Sequence, residues 1–267
     1  LRFPNRVFKV KYCTQMVWWN FGKKKKENLP REGESARKEE ALVARWRERV
    51  SDRRAQSYER QEAIEALARL GTPKAGIALL NRFTFTVDPS ITDQEEKEAA
   101  FQGVIRIGKE VVTAVRGFGK KAESLAWGMK ILKHLLSPDE YVQELLFFLG
   151  QWDTEYAKFV DPKVQLLTEL ENVKNPAIPK AVEPFLQDVH EPTRFHAVSA
   201  LLAQENQSAL FPLLSLLKVE ESFRVKNKIV EGLARCQWLI PEEEREMVRT
   251  HLMHGYTLHE EGIITKA

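Results

Sequence analysis

His251-x-x-His254 sets two imidazoles one helical turn apart near the end of a 267-residue chain, with His259 close behind. Imidazole nitrogens at that spacing can take zinc, but a closed zinc site needs four ligands, and no carboxylate or cysteine stands at a helpful spacing on the same helix. No metal or other cofactor is therefore expected. In FFLGQWDTEY (147–156), Trp152 and Tyr156 flank Asp153 and Glu155, which brings aromatic faces and acids together in one short stretch. A third stretch, MVWWNFGKKKK (16–26), holds Trp18, Trp19 and Phe21 ahead of Lys23, Lys24, Lys25 and Lys26, with no acid among them. The chain has no G-x-S-x-G, no Walker-type loop and no glycine-rich turn after a strand, so no nucleophile or phosphate cradle is assigned. Cys236, in EGLARCQWLIP, reads as a packed thiol at a helix end.

The lysine-rich stretch has its own physics. Tryptophan favours the membrane interface because its ring is apolar while its N–H stays hydrated, and lysines beside it are drawn to anionic headgroups. Four lysines at about 1 kcal/mol each, with three partly inserted aromatics, would give a weak and reversible foot. The same residues also read as a disordered basic tail, or as a hook for an acidic partner, and the sequence leaves the three open. The expected natural start is Met16, because LRFPNRVFKVKYCTQ shows no sustained helical period or turn logic.

Composition narrows the class. With 43% hydrophobic and 30% charged residues, the chain suits a folded, helix-leaning protein. Two cysteines are too few for a disulfide framework, which points to a reducing, cytoplasmic setting. No run approaches the roughly 18 apolar residues of a membrane span, so any membrane contact would be peripheral. Residues 1–56 carry 16 Lys and Arg against 7 Asp and Glu, whereas residues 57–255 carry 24 against 29. An acidic body is a poor match to a phosphate backbone, and nucleic acid is not an expected partner.

The elements that must position these residues are helical. Leu42, Val43, Trp46 and Val50 fall three or four apart and predict a capping helix with one apolar stripe. Set without gaps, EAIEALARLGTPKAGIALL (62–80) matches HAVSALLAQENQSALFPLL (196–214) at Ala63/Ala197, Ala66/Ala200, Leu67/Leu201, Ala75/Ala209, Leu79/Leu213 and Leu80/Leu214. A third copy lies 31 residues before the second, with Leu170, Ile178 and Val182 in register. Each unit is a helix, a break and a second helix, with breaks at Gly71-Thr72-Pro73, Ser137-Pro138-Asp139 and Asn175-Pro176. Less regular copies span 96–119, 123–149 and 221–252, giving about six hairpins. In RFTFTVDPSITDQEEKE (82–98), Phe83, Phe85 and Val87 alternate with threonines and predict a short extended strand, either a partner loop or a cover over an apolar ridge. GYTLHEEGIITKA predicts a small hairpin or extended lid over the last unit.

The stretches PTRFHAVSALLAQENQSALFPLLSLL and SYERQEAIEALARLGTPKAGIALLNRF resemble HEAT repeats, the helical hairpins of α-solenoids, including the HEAT-like units of bilin lyases. The resemblance covers roughly 57–252 and implies an all-α, right-handed α-α superhelix. The expected organisation is a basic aromatic arm and linker (1–33), a HEAT-repeat solenoid with a capping first helix (34–255) and a C-terminal tail (256–267). The expected function is a non-enzymatic scaffold or adaptor for a protein partner, with the arm as its membrane tether if it is a foot. The alternatives are a HEAT-like nucleic-acid glycosylase, whose aromatic and acid pairing Trp152, Asp153 and Tyr156 resemble in composition, and a bilin-lyase-like chaperone for a chromophore.

Overall fold

The computed structural model describes residues 32–120 and 122–266. Met16 and the arm residues Trp18, Trp19, Phe21 and Lys23 to Lys26 lie outside the described residues. The chain forms two compact units, Leu1–Lys38 and Glu39–Ala267. Of the first, only the opening turns of α1 (Glu32–Ser51) are described, and everything below concerns the second. Along α1, Val50 and Val43 are buried and Trp46 is half-buried, while Leu42 turns out to the edge of the predicted stripe and stays exposed.

After α1 the helices come in pairs: α2 (Ser57–Leu70) with α3 (Pro73–Leu80), α4 (Ser90–Ile107) with α5 (Val112–Gly119), and α6 (Ala126–Leu135) with α7 (Pro138–Leu149). Then follow α8 (Asp161–Leu170) with α9 (Ile178–Val182), α10 (Glu191–Ala203) with α11 (Leu210–Val219), and α12 (Phe223–Cys236) with α13 (Glu242–His251). The fold is all-α apart from one antiparallel hairpin, β1 (Tyr256–Leu258) and β2 (Ile264–Lys266). No helix among the described residues is long and apolar enough to cross a membrane.

The breaks are made by the residues that predict them. Gly71 takes a left-handed φ of 61° and donates its N–H to Leu67 O, closing α2, and the Thr72 hydroxyl accepts from Ala75 N–H to open α3. Ser137 opens α7 through a reciprocal cap with Glu140. Lys109 and the Ser137 N–H hold that carboxyl down at about 2. One unit departs from the expected hairpin: Pro184, with no N–H to donate back along the helix, ends its second helix after the five residues of α9, and a 3-10 turn, Glu183–Gln187, follows.

Packing follows sequence order. Helix α2 lies on α4 and α4 on α6; α8 lies on α10 and α10 on α12; α3 meets α5, and α11 meets α13. The aligned positions Ala63, Leu67, Ala75, Leu79 and Leu80 and their counterparts Ala197, Leu201, Ala209, Leu213 and Leu214 are all buried, as are Leu170, Ile178 and Val182. Small residues set the closest approaches: a Cβ added at Gly232 of α12 would stand 2.1 Å from Leu202 of α10. The tail hairpin packs on α12 and α13, where the Arg245 guanidinium bonds the carbonyls of Ile240, Glu260 and Glu261.

A set of ion pairs runs through this stack. Arg60, Lys163 and Arg194 occupy one position of the repeat, near the start of α2, α8 and α10. Arg60 makes two hydrogen bonds to Glu96 of α4, at 2.9 and 3.0 Å, and a third to Ala55 O. Lys163 donates to Asp188 Oδ2 at 2.7 Å and to Glu155 O, with both side chains fully buried. Arg194 holds Glu220 at 2.7 and 2.9 Å and Asp188 O at 2.9 Å. The acid comes each time from the following unit; Asp188 Oδ1, the oxygen not bonded to Lys163, accepts the His190 N–H, and Glu220 Oε1, which also takes an Arg194 bond, accepts those of Glu221 and Ser222.

Arg82 extends the first of these pairs and overturns the predicted strand. Its fully buried guanidinium bonds Glu96, Asp93 and Phe85 O, and Lys97 bonds Asp93 in turn. That pull winds Asn81–Thr84 into a 3-10 turn, leaving Phe85 as extended backbone without a strand partner.

Burial pushes the carboxyls of Asp93, Glu96 and Glu220 up, but hydrogen bonds from Lys97 and Arg82, from Arg60 and Arg82, and from Arg194 outweigh it, and all three sit below the usual range. A carboxyl depressed in the folded state adds stability above its unfolded pKa and loses it as pH falls through the folded value. Urea midpoints are therefore expected to stay level down to about pH 5 and to fall below about pH 4, with Glu220→Gln flattening the fall; a midpoint indifferent to acid contradicts the assignment. Lys163→Met, which strands a buried Asp188 charge, should cost about 3–5 kcal/mol in the same assay. Adding Asp188→Asn, which keeps the bond to His190 N–H, should restore most of it.

Candidate protein-binding surface

The loops that carry the acids lie side by side. Val189 donates its N–H to Thr154 O at 3.1 Å, and His190 Nε2 accepts from Ala157 N–H at 3.3 Å, joining the loop before α8 to the loop before α10. Arg194 bonds Val189 O and Glu220, and Ser222 Oγ donates to Glu191 at 3.0 Å, joining the loop before α10 to the one before α12. Arg224 also bonds Glu191 and lies 3.7 Å over the Phe195 ring.

Asp188, Glu220, Glu191 and Arg194 are buried or paired, and beside the exposed Asp153, Glu155, Lys158 and Glu221 these three loops present apolar side chains outward. Tyr156 is 76% exposed, Val189 55%, Val219 64% and Phe223 75%, and Phe159 is exposed beside them. The Tyr156 ring stands 5.5 Å from that of His190, which brings Tyr156 beside the loop that carries Val189. Tyr58 and Ile91 are exposed at the starts of α2 and α4, the same place in the first two units. Single exposed apolar residues are ordinary, whereas a contiguous row of them marks an interaction surface.

The other candidates fall differently. Trp152 is half-buried against the core, Asp153 is exposed with Oδ1 accepting the Glu155 N–H, and Tyr156 faces His190; each of the three has its own neighbours. Phe83 stacks on Trp127 at 5.2 Å, Phe85 lies 4.6 Å under the Arg82 guanidinium, and Val87 N–H bonds Asp93, with all three side chains half-buried. Helix α13 ends at His251, so His254 falls in the following turn and the expected pair of imidazoles on one helix face is not formed. His251 instead sits 2.8 Å from Met247 O, and His259 lies 2.7 Å from Thr265 Oγ1. Among the described residues no three His, Cys, Asp or Glu side chains converge as metal ligands. Cys236 is half-buried with Sγ 4.0 Å from Leu202 O.

No protein-family model matches the chain, and no curated protein matches it. The exposed row therefore stands on its geometry. Replacing Tyr156, Val189 or Phe223 by Ala, one at a time, should shift unfolding free energy by no more than about 0.5 kcal/mol, since each side chain stands largely in water. A larger loss in denaturant titration would show that the row is packing and not a free surface.

Proposed function

We propose that the six helix pairs form a right-handed, HEAT-type solenoid and that this body is a non-enzymatic scaffold holding a protein partner along the exposed row. The observation that carries the reading is the row itself: Tyr156, Val189, Val219 and Phe223 lie on three stitched loops of successive units. Helices that pack only on near neighbours in sequence, with small residues and leucines in register, support the solenoid. The buried carboxylates Asp93, Glu96, Asp188 and Glu220 are each taken up in ion pairs that fasten one unit to the next, which leaves them engaged as structure. We propose further that the basic aromatic arm tethers the scaffold to an anionic membrane face.

Two experiments test these readings separately. In native-source affinity purification at matched expression, the wild-type chain should retain a stoichiometric protein that Tyr156→Ala/Phe223→Ala loses while its melting temperature stays unchanged. Identical protein sets from both baits sink the scaffold surface. For the tether, flotation should carry the chain up with anionic vesicles and not with neutral ones, and Trp18→Ala/Trp19→Ala or a start at Asn28 should abolish it. If all three proteins stay at the bottom with both lipids, the arm is not a membrane foot.

A further inference from the structure

His190 stands where two loops of the exposed row meet, and its ring serves there as an acceptor. Its backbone N–H donates to Asp188 Oδ1 at 2.8 Å and its carbonyl accepts the Arg194 N–H, which fixes it as the cap of α10. From that position the ring reaches the loop before α8: Nε2 accepts the Ala157 N–H at 3.3 Å, and the Tyr156 ring lies 5.5 Å away. Accepting at Nε2 leaves the proton of the neutral ring on Nδ1. Thr154 O and Glu155 O are bonded to Val189 N–H and to Lys163, and α8 begins at Asp161. Between these points, among the described residues, the bond from Ala157 to His190 is the one hydrogen bond made by residues 156–159.

The other charges around that ring are constant through the range in which imidazole titrates. The loop before α8 and its first helical residue bring Asp153, Glu155, Lys158 and Asp161, all exposed, and α8 brings Lys163, bound to Asp188. The ring's own loop leads into Glu191, bound to Arg224; α10 adds Arg194, bound to Glu220, and the loop before α12 adds the exposed Glu221. Carboxylates, lysine and arginine keep their charge between about pH 5 and pH 8, so His190 is the group here that changes. A proton gained at Nε2 turns the acceptor into a donor and sets N–H against N–H, so the charged ring and the bond to Ala157 exclude one another. His196, on the same helix, is the opposite case: its Nδ1 lies 2.7 Å from Glu171, and a charge gained there keeps its partner.

We propose that His190 is an acid-released latch on the exposed row: neutral, it holds residues 156–159 against the loop before α10, and protonated, it lets them go. The sign follows by linkage. The latched state takes up no proton at Nε2 and the released state does, so the latch is complete at the alkaline end of the imidazole range and is lost as pH falls through it. Release is local, because Thr154 O and Glu155 O keep their own partners. One long hydrogen bond is a small part of the body's stability, which agrees with a urea midpoint that stays level down to about pH 5. What moves is the aromatic end of the row, Tyr156 and Phe159, relative to Val189. That acid thereby weakens a partner's hold rests on the scaffold reading; the latch itself does not.

The test is made on the full chain without any partner, so its outcome is independent of whether the row binds a protein. Solvent-exchange NMR gives the protection of Ala157 N–H, corrected for the intrinsic pH dependence of exchange. The reference is Asn175 N–H, which the Gln204 side chain holds at 3.1 Å without a titrating group. From about pH 8 to about pH 5, protection of Ala157 relative to Asn175 should fall about 2- to 10-fold, the worth of one hydrogen bond. The contact between the Tyr156 and His190 rings should fade with the same midpoint. His190→Gln, whose Oε1 accepts without titrating, should hold Ala157 across the whole range. His190→Leu, with no acceptor, should leave Ala157 at the alkaline end as unprotected as the wild type is in acid. A flat ratio in the wild type, an equal fall in His190→Gln, or full alkaline protection in His190→Leu overturns the latch.

Discussion

A cation withdrawn from water must be met by a carboxylate and by enough hydrogen bonds to replace its hydration, and for three of the cations here the carboxylate belongs to the next unit. Arg60 reaches forward to Glu96, Lys163 to Asp188 and Arg194 to Glu220. Each pair constrains three things together: the distance between successive first helices, the path of the loop between them, and the point at which the next helix starts. The third follows because Asp188 and Glu220 also accept backbone N–H groups of their own loops. A buried pair adds to the interlocked packing a directional contact with one geometry.

The outward face of the molecule follows from the same constraint. Asp188 is followed by Val189, and Glu220 is preceded by Val219; the acid turns in to its cation and the adjacent valine is left pointing to solvent. Glu191, which remains outside, is occupied by Ser222 and Arg224. The loops thus carry exposed apolar side chains among their remaining charges, Asp153, Glu155, Lys158 and Glu221, and the exposed row and the interior ladder are two sides of the same three loops.

This relation also explains what could be read from the residues in order. The breaks at Gly71-Thr72-Pro73 and Ser137-Pro138 are local backbone chemistry, and the register of Ala63 with Ala197 or Leu79 with Leu213 is a short-range period, so both were legible. Phe83, Phe85 and Val87 alternate as a strand would, but the turn there is imposed by Arg82 through Glu96 and Asp93, partners that sequence order does not reveal. Lys163 and Asp188 drew no notice, because nothing in either segment says that they meet. Tyr156 drew notice beside Trp152 and Asp153, its neighbours in sequence, whereas in the structure its ring adjoins His190. Val189, Val219 and Phe223 drew none, because a single apolar residue in a polar loop carries no signal until its neighbours from other loops are placed beside it.

A unit with an acid at its head and a cation in its first helix has the logic of a tile with complementary edges. When such a segment is copied in tandem, the new copy brings a partner for the charge on either side, and no interior position is left with an unanswered ion. Only the outermost copies carry an open edge, and there the charge can stay in water, as Lys226 does in the last unit at half exposure. Gene duplication could therefore lengthen an array of this kind without a compensating mutation.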